Sequence, residues 1–444
     1  MSTSTAPAKD RTRLGSSYHK LFSASVISNL GDGVGTVAYP WLASAVTRNP
    51  LLISLVPVAG RLPWLVFSLP AGVITDRADR RRLMVSMDVC RFALAGVGAL
   101  AVLAQQGSLP GPDDVSAVVG TKWLLFTVVV IATLLLGMAE VLRDNASQTI
   151  LPAIVPAAGL ERANGRMWSA EGVANTFAGP PIGSLLLAAS FALPFIVDAF
   201  TFLAAAALVA MIPGSFRATL PDGVEPAHWR TELREGVGWL WRHELLRPMA
   251  IILGVMNAAG MISFATFVLF AQEVLGVGPL LFTVLSMGGA IGGIVGGAFA
   301  SAISGRLGSG TCLGLTLAGM AVVAFVIGLS SWWPVVFVMF TTVSLLGILW
   351  NVITVSLRQT IIPPHLLGRV NSVYRFFAWG MMPVGAALGG LVVIVVDSFA
   401  SRDVALRATW IVNGAIHVLL FVFGRRKLTT AKIEAARNAE RVVD

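Results

Sequence analysis

The stretch GVITDRADRRRLM, residues 72–84, places six charged side chains between two long apolar runs. Each of these runs is long enough to cross about 30 Å of hydrocarbon as a helix. The stretch is therefore typical of a short loop between two membrane helices. Four of its charged residues are arginines. Because short cytoplasmic loops collect Lys and Arg, we expect this loop to face the cytoplasm.

The whole chain has the composition of a protein that crosses a membrane many times. Of its 444 residues, 56% are hydrophobic and 12% are charged, and the mean hydropathy is +0.79. A soluble core cannot hide this much apolar surface, so a lipid bilayer is the expected solvent. The net charge of +9 is spread over short connectors, which argues against nucleic-acid binding. Cys90 and Cys312 give neither a disulfide framework nor metal-ligand spacing.

Twelve apolar runs of membrane-spanning length are separated by short polar or Gly/Pro breaks. They lie at about residues 22–46, 51–74, 83–105, 122–145, 168–189, 191–212, 248–274, 279–304, 310–330, 333–357, 369–396 and 405–424. The division between the fifth and sixth runs depends on Ser190 and its neighbours. No apolar signal region precedes the first run, and basic residues flank the first and last runs. This pattern predicts a multi-pass protein of the cell inner membrane with both termini in the cytoplasm.

One long polar interruption divides the apolar runs six and six. It covers residues 214–247, where Leu and Val recur at helical spacing beside charged residues. We expect a cytoplasmic linker that contains an amphipathic surface helix. The predicted domains are then an N-terminal six-helix half (1–213), the linker, and a C-terminal six-helix half with a short cytoplasmic tail (248–444).

An internal repeat supports two related halves. QTILP (148–152) followed by LERANG (160–165) recurs as QTIIP (359–363) followed by LGRVNS (366–371). Both copies follow the fourth apolar run of their half, so the repeat is parallel. Parallel six-helix halves are the architecture of the major facilitator transporters.

The loop stretch itself resembles the loop signature of the major facilitator superfamily. The matching positions are a glycine, an Asp-Arg pair and two further basic residues: Gly72, Asp76, Arg77, Arg80 and Arg81. The stretch departs from the signature at Thr75, where Ala is usual, and at Asp79, where Gly is usual. The resemblance implies that Asp76 caps or pairs across the cytoplasmic interface between the halves and holds the outward-facing state. The alternative is a positively charged loop with no gating role.

A second element, in the fifth apolar run, resembles a signature of the drug:proton antiporters in this superfamily. It consists of Gly179, Pro180 and Gly183, in the stretch TFAGPPIGSLLL. The resemblance implies a helix bend that acts as a barrier to leak. Helix packing alone is the alternative, because glycines four residues apart allow close helix contact.

Ionisable residues inside the apolar runs are candidates for function because they are expensive to bury there. Asp32 in the first run is the clearest candidate for proton coupling, since we expect Gly31 and Gly33 to leave room for water or substrate. A structural ion pair between Asp32 and Arg61 of the second run is the alternative.

The end of the fourth run adds three further candidates. Glu140, Arg143 and Asp144 can share one helical face, either for proton handling or for mutual neutralisation. Candidates for the substrate cavity are Asn29, Arg61 and Arg375.

The resemblance points to one branch of the superfamily, the bacterial branch of enterobactin-type siderophore exporters, macrolide efflux proteins and multidrug pumps. The segments that carry it are SNLGDG (28–33), the loop signature and LERANG. It implies an all-α membrane protein of twelve transmembrane helices that exports small apolar or amphipathic molecules as a monomer, driven by protons and without a cofactor. An importer, a lipid flippase and a sensor without coupled transport are the alternatives. A P-loop is excluded because no lysine follows a glycine, and no nucleophile-base arrangement suggests an enzyme.

Overall fold

The computed structural model describes residues 14–111, 114, 118–156, 159–217 and 229–441. Within these ranges the secondary structure is helical apart from isolated β-bridges. In chain order the α-helices are α1 (Gly15–Val46), α2 (Pro50–Val66), α3 (Ser68–Arg77), α4 (Arg80–Gln105), α5 (Trp123–Ile154), α6 (Leu160–Gly172), α7 (Gly179–Ala189), α8 (Leu193–Ala210), α9 (Trp229–Arg242), α10 (Leu246–Phe264), α11 (Phe267–Glu273), α12 (Pro279–Leu307), α13 (Ser309–Leu329), α14 (Trp333–Ile361), α15 (Pro364–Asp397), α16 (Arg402–Lys427) and α17 (Thr430–Arg441).

Within the described ranges, nine helical stretches are long and apolar enough to cross a membrane. They correspond to the third, fourth, sixth and seventh to twelfth predicted runs. The first, second and fifth runs also lie on helices, but they do not meet the same criterion of length and composition. The all-helical membrane architecture is thus confirmed, and the count of twelve crossings stays a prediction.

Prolines explain why the second and fifth runs are interrupted. Pro70 has no N–H to continue the hydrogen-bonding pattern of α2, and the helix breaks at Phe67. In the fifth run a π-helical segment, Val173–Ala178, joins α6 to α7 directly before Pro180. A local π-helical turn can satisfy backbone groups that a proline leaves without their usual helical hydrogen bonds.

Helix α9 lies inside the predicted linker and packs on the beginning of α15. A Cβ atom at Gly236 would lie 2.9 Å from the backbone carbonyl carbon of Arg369, and Glu235 forms an ion pair with the Arg369 guanidinium. Leu240 is fully buried, and the ring of Trp241 stacks on that of Phe377. One face of α9 is therefore held against the C-terminal helices. The exact domain boundaries stay a prediction.

The helices form an N-terminal group (α1–α8) and a C-terminal group (α10–α17). The groups contact each other at one end of the bundle and along α2 and α15, where Ser54 lies beside Gly390 and Trp64 stacks on Trp379. We call the end where α1 begins and α16 ends the terminal end, and the other end the opposite end. At the opposite end, Arg48 donates a hydrogen bond of 2.6 Å to Gln272 and forms an ion pair with Glu273. Arg402 donates to the Arg48 carbonyl at 2.9 Å and to Glu273 at 3.0 Å. Polar contacts thus close the opposite end of the bundle.

Candidate functional site

A network of buried and partly buried charged side chains lies among α1, α4, α5 and α8. We call it the N-terminal charge network; its members are Asp32, Asp88, Arg91, Glu140, Arg143, Asp144 and Asp198. The sequence analysis singled out four of these seven residues and missed the other three. All seven lie in predicted membrane spans, where charge is costly unless it is paired.

Asp32 on α1 is held by Arg91 on α4. The two side chains form an ion pair, and the same guanidinium donates a 3.1 Å hydrogen bond to the hydroxyl of Ser28. Arg91 is only 2% exposed, and its guanidinium lies 3.9 Å from the centre of the Phe202 ring. Asp32 keeps 28% of its side chain exposed. The structure therefore joins a nearly inaccessible arginine to a carboxylate that water can reach.

The ion pair between Asp32 and Arg61, which was the alternative to proton coupling, does not form in the structure. Arg61 on α2 is exposed and lies with its guanidinium 5.6 Å from the centre of the Trp379 ring. The sequence analysis did not single out Arg91. An arginine at the twelfth position of α4 is already inside the apolar run, and this placement was the available signal.

The second part of the network connects α4 to α5. Asp88 is fully buried and accepts a 2.9 Å hydrogen bond from Nε of Arg143. Arg91 lies 3.8 Å from the same Asp88 oxygen, so both arginines meet at this carboxylate. Arg143 also lies 3.7 Å from Asp144, which is 36% exposed. In the predicted cluster at the end of the fourth run, Arg143 therefore pairs with Asp144 and also connects α5 to Asp88 of α4.

Two acidic members of the network, Asp198 and Glu140, form no ion pair with a described arginine. Asp198 on α8 is 3% exposed, and one of its carboxylate oxygens has no hydrogen-bond partner among the described residues. Glu140, one turn before Arg143, is half-buried and forms no ion pair with a described side chain. The network thus contains five carboxylates and two guanidinium groups.

The glycines beside Asp32 pack against neighbouring helices, which contradicts their predicted role as space for water or substrate. A Cβ atom at Gly31 would clash with the Asp198 carboxylate and the Thr201 hydroxyl. One at Gly33 would lie 2.7 Å from the Ala174 carbonyl and 2.9 Å from the Cα of Gly179. These short distances leave no room for a side chain, so the glycines allow α1 to approach α8 and the fifth run closely.

The antiporter-like element is the other side of this contact. A Cβ atom at Gly179 would lie 2.5 Å from Gly33, and one at Gly183 would lie 2.7 Å from the Val34 carbonyl. Pro180 is the second residue of α7, after the π-helical segment, and has no N–H to donate to the preceding turn. The three residues place α7 directly on α1, next to the turn that carries Asp32. Their role as a barrier to leak stays a prediction.

Asn29, a predicted cavity residue, connects the same two elements. Its side chain donates a 2.8 Å hydrogen bond to the Ser25 carbonyl and accepts one of 2.9 Å from Asn175 in the π-helical segment. Both the N–H and the oxygen of the Asn29 amide therefore form hydrogen bonds within the N-terminal group.

The basic residues of the loop signature bind carbonyl groups at the ends of neighbouring helices. Arg80 donates to the Thr149 carbonyl at 3.1 Å, and Arg81 donates to the Ile212 carbonyl at 2.7 Å. Cations are favourable at helix C-termini because the free carbonyls there carry partial negative charge. Arg77 is exposed, and its own carbonyl accepts a 3.3 Å hydrogen bond from Arg217. The loop therefore fixes the terminal end of the N-terminal group.

Asp79, the departure from the signature, is the N-cap of α4. One carboxylate oxygen accepts a 2.9 Å hydrogen bond from the N–H of Arg82, and the other accepts bonds from the Ser215 hydroxyl and the Phe216 N–H. Partial burial acts to raise the pKa of Asp79, but these hydrogen bonds outweigh it and lower the pKa to about 2. Asp79 has φ −70°, so the turn needs no left-handed residue. The loop thus gains a carboxylate clamp where Gly is usual.

The remaining signature positions, Gly72 and Asp76, belong to α3, but the surroundings of Gly72 and the side chain of Asp76 lie outside what the structure describes. The predicted contact of Asp76 across the interface between the halves stays a prediction.

Residues of both helix groups meet at the level of Arg61. The rings of Trp64 on α2 and Trp379 on α15 stack with centres 6.2 Å apart, and Arg61 lies over Trp379. Arg375 is exposed one turn before Trp379, so it lies on the same face of α15. The structure therefore brings the predicted cavity residues Arg61 and Arg375 to the surface between the groups, whereas Asn29 lies at a contact within one group.

This fold and this site define a polytopic helical membrane protein with charged groups buried in one helix group. The model of the Major Facilitator Superfamily matches residues 21–382. Because the match covers most of the chain, the protein belongs to this superfamily of membrane transporters.

Its curated relatives include drug-efflux proteins. The chain is 27% identical to the multidrug efflux pump Tap of Mycolicibacterium fortuitum over 387 residues, which cover 83% of this chain and 87% of that protein. It is 21% identical to macrolide efflux protein A of Streptococcus pyogenes, over 84% of this chain and 88% of that protein. Among solved structures, the nucleoside transporter NupG superimposes with a TM-score of 0.67 at 11% identity, over 92% of this chain and 98% of that one. The structural likeness confirms the major facilitator fold.

Proposed function

We propose that this transporter exports small apolar or amphipathic molecules in exchange for protons by alternating access. The observation that carries the proposal is the imbalance of the N-terminal charge network, in which five carboxylates share two guanidinium groups. Burying unpaired charge is costly, and a bound proton removes that cost. A network of this composition is suited to take up protons and release them.

Asp32 is the member best placed to couple protonation to movement. Its carboxylate is partly exposed, whereas its partner Arg91 is buried. A proton on Asp32 removes the negative charge that Arg91 needs, so Arg91 then depends on Asp88 alone among its close acidic partners. This exchange changes the attraction between α1 and α4.

A change in the position of α1 can reach the contact between the helix groups through α7. The turn after Asp32 packs through Gly33 and Val34 on α7. On α7, Ser184 lies within hydrogen-bond distance of Thr283 and donates to the Pro279 carbonyl of α12 at 3.1 Å. The element that carries the proton site therefore packs on an element that holds the two groups together.

The bonds that close the opposite end support an inward-facing state. With both termini in the cytoplasm, as the basic loops predict, the closed end is extracellular. The surface that carries Arg61, Trp379 and Arg375 then lies between the groups on the route from the cytoplasm. Two aromatic rings and two cations suit flat, amphipathic or anionic substrates.

Transport by inside-out vesicles tests this proposal. The vesicles contain the protein and are given a pH gradient with an acidic interior. The uptake of fluorescent amphipathic dyes is then measured with and without a protonophore. We expect uptake that the protonophore abolishes, and we expect Asp32→Asn to reduce it at least about tenfold, because a required charge change contributes more than about 1.4 kcal/mol.

Asp403→Asn is the matched control, because Asp403 pairs with Arg407 at the exposed start of α16, away from the network. This variant should transport normally. Uptake by Asp32→Asn that keeps the wild-type rate and pH dependence would exclude the role of Asp32. Movement of dye only in right-side-out vesicles would indicate an importer.

A further inference from the structure

A pocket of about 360 Å³ lies at the terminal end, where α9 ends, α10 begins and α16 ends. It is lined by Trp241, Glu244, Arg247, Pro248, Ile251, Phe423 and Lys427. None of these residues belongs to the N-terminal charge network or to the surface between the helix groups. The pocket therefore needs an explanation of its own.

Three charges of both signs line the pocket. Arg247 is exposed and is positioned by a 3.1 Å hydrogen bond from its guanidinium to the Trp241 carbonyl. Lys427 and Glu244 are exposed, and neither forms an ion pair with a described side chain. Two cations and one carboxylate thus face the same small space without neutralising each other.

An apolar surface continues from the pocket along α16. Phe423 is 44% exposed, Val422 49% and Leu419 68%. From Lys427 to Leu419 the helix rises by about 12 Å, at about 1.5 Å per residue. Trp241 is 46% exposed at the rim, a placement typical of aromatic residues at the level of lipid headgroups. The pocket is therefore polar at one side and opens onto a surface that suits acyl chains.

We propose that this pocket binds a phospholipid whose headgroup carries both a phosphate and a primary ammonium, such as phosphatidylethanolamine. Arg247 and Lys427 bind the phosphate, Glu244 accepts hydrogen bonds from the ammonium, and the acyl chains lie along the exposed face of α16. A headgroup without an ammonium leaves Glu244 unpaired beside a phosphate. A choline headgroup has no N–H to donate to that carboxylate. The inference does not depend on the proposed export function.

Native mass spectrometry of the purified protein tests the site. The protein in detergent is mixed with equal amounts of dioleoyl phosphatidylethanolamine, phosphatidylcholine and phosphatidylglycerol, and the bound fraction of each lipid is measured. We expect phosphatidylethanolamine to be retained several-fold more than the other two. The double variant Arg247→Gln, Lys427→Gln should lower its retention about tenfold, because both charge-assisted contacts to the phosphate are lost.

Glu244→Gln separates headgroup recognition from general attraction to anions. This variant should lose the preference for phosphatidylethanolamine over phosphatidylglycerol while it still binds phospholipid. Arg425→Gln is the matched control, since Arg425 is exposed at the same helix end but does not line the pocket. It should retain the wild-type pattern.

Each of the following results would overturn the proposal: equal retention of all three lipids by the wild type, an unchanged preference in Glu244→Gln, or a loss in Arg425→Gln as large as in the double variant. Soluble phosphoethanolamine is the test of the acyl contribution. If an equimolar amount of phosphoethanolamine displaces phosphatidylethanolamine, the site recognises a free headgroup and the lipid assignment is wrong. Gel filtration of every variant checks that the protein is folded.

Discussion

At the scale of single residues, Arg91 and Asp79 show how charge is placed in this protein. Arg91 is buried and satisfies carboxylates on α1 and α4. Asp79 lies at the edge of the bundle and satisfies backbone N–H groups on two segments. The ion pairs of Arg91 lie in surroundings of low dielectric constant, where electrostatic interactions are strong. The hydrogen bonds of Asp79 lie near water, where electrostatic interactions are weaker. They therefore respond differently to substitution.

Asp79→Ala should lower the stability of the protein by about 1 kcal/mol, because an N-cap is lost together with the clamp to Phe216. Asp79→Gly should cost less, since glycine is tolerated at N-caps. Thermal unfolding of the purified protein in detergent measures both. Equal stability of Asp79→Ala and wild type would show that the clamp contributes nothing.

The contribution of Asp79 should depend on pH. Its pKa in the folded protein is lowered to about 2, against about 3.9 in an unfolded chain. The stabilisation is therefore fully present above about pH 4 and is lost as the pH falls toward about 2. The difference in melting temperature between wild type and Asp79→Asn, which keeps the side-chain shape, should shrink over that range and stay constant from about pH 5 to 8.

At the scale of helices, the contact between α1 and α7 depends on glycine. A Cβ atom at Gly33 would meet backbone atoms of Ala174 and Gly179, which cannot move away as the end of a flexible side chain can. Small residues of this kind allow membrane helices to approach closely. The structure adds that the glycine next to Asp32 couples the charge network to the helix that touches the other group.

Gly33→Ala should therefore reduce transport strongly and lower the melting temperature, because α1 and α7 must separate to admit the methyl group. Gly96→Ala on α4 is the matched control, since a Cβ atom there would meet nothing within 4 Å. It should transport normally and be as stable as wild type or more stable, by up to about 1 kcal/mol. Dye uptake and thermal unfolding of both variants test this. Normal transport by Gly33→Ala would show that the contact tolerates separation.

At the scale of the whole molecule, the two helix groups are joined by polar contacts at the opposite end. Glu273 binds both Arg48 and Arg402, so one carboxylate joins the end of α1 to the start of α16. Such partly exposed pairs are individually weak, but three charges in one network are worth more than separate pairs. In the proposed alternating-access cycle, contacts of this moderate strength would allow this end to open.

Glu273→Gln should shift the protein toward the state that is open at the opposite end. Ser54, buried where α2 meets Gly390 of α15, is a suitable reporter. In a Cys90→Ser, Cys312→Ala background, a Ser54→Cys variant should react severalfold faster with a membrane-impermeant maleimide when Glu273→Gln is present. Asp403→Asn serves as the control for removing an acidic residue from the same end. Equal labelling rates would argue against a role for Glu273 in closing this end.

The sequence by itself determined the membrane architecture, the repeat and the family, because each depends on local properties: the length of apolar runs, the placement of arginines and short motifs. It also located Asp32, Arg143 and Asp144, since any charge in an apolar run stands out. It could not pair them. The partner of Asp32 is Arg91, 59 positions away, and not Arg61, and Gly31 and Gly33 pack where open space was expected.

Only the tertiary structure decided these points. Which side chains meet depends on the rotation and depth of whole helices, and these are set by the summed packing of many residues and by no local signal. For the same reason Asp79 could be recognised in sequence as a departure from a motif, but its partners Ser215 and Phe216 became visible only when the chain returned to the same end of the bundle.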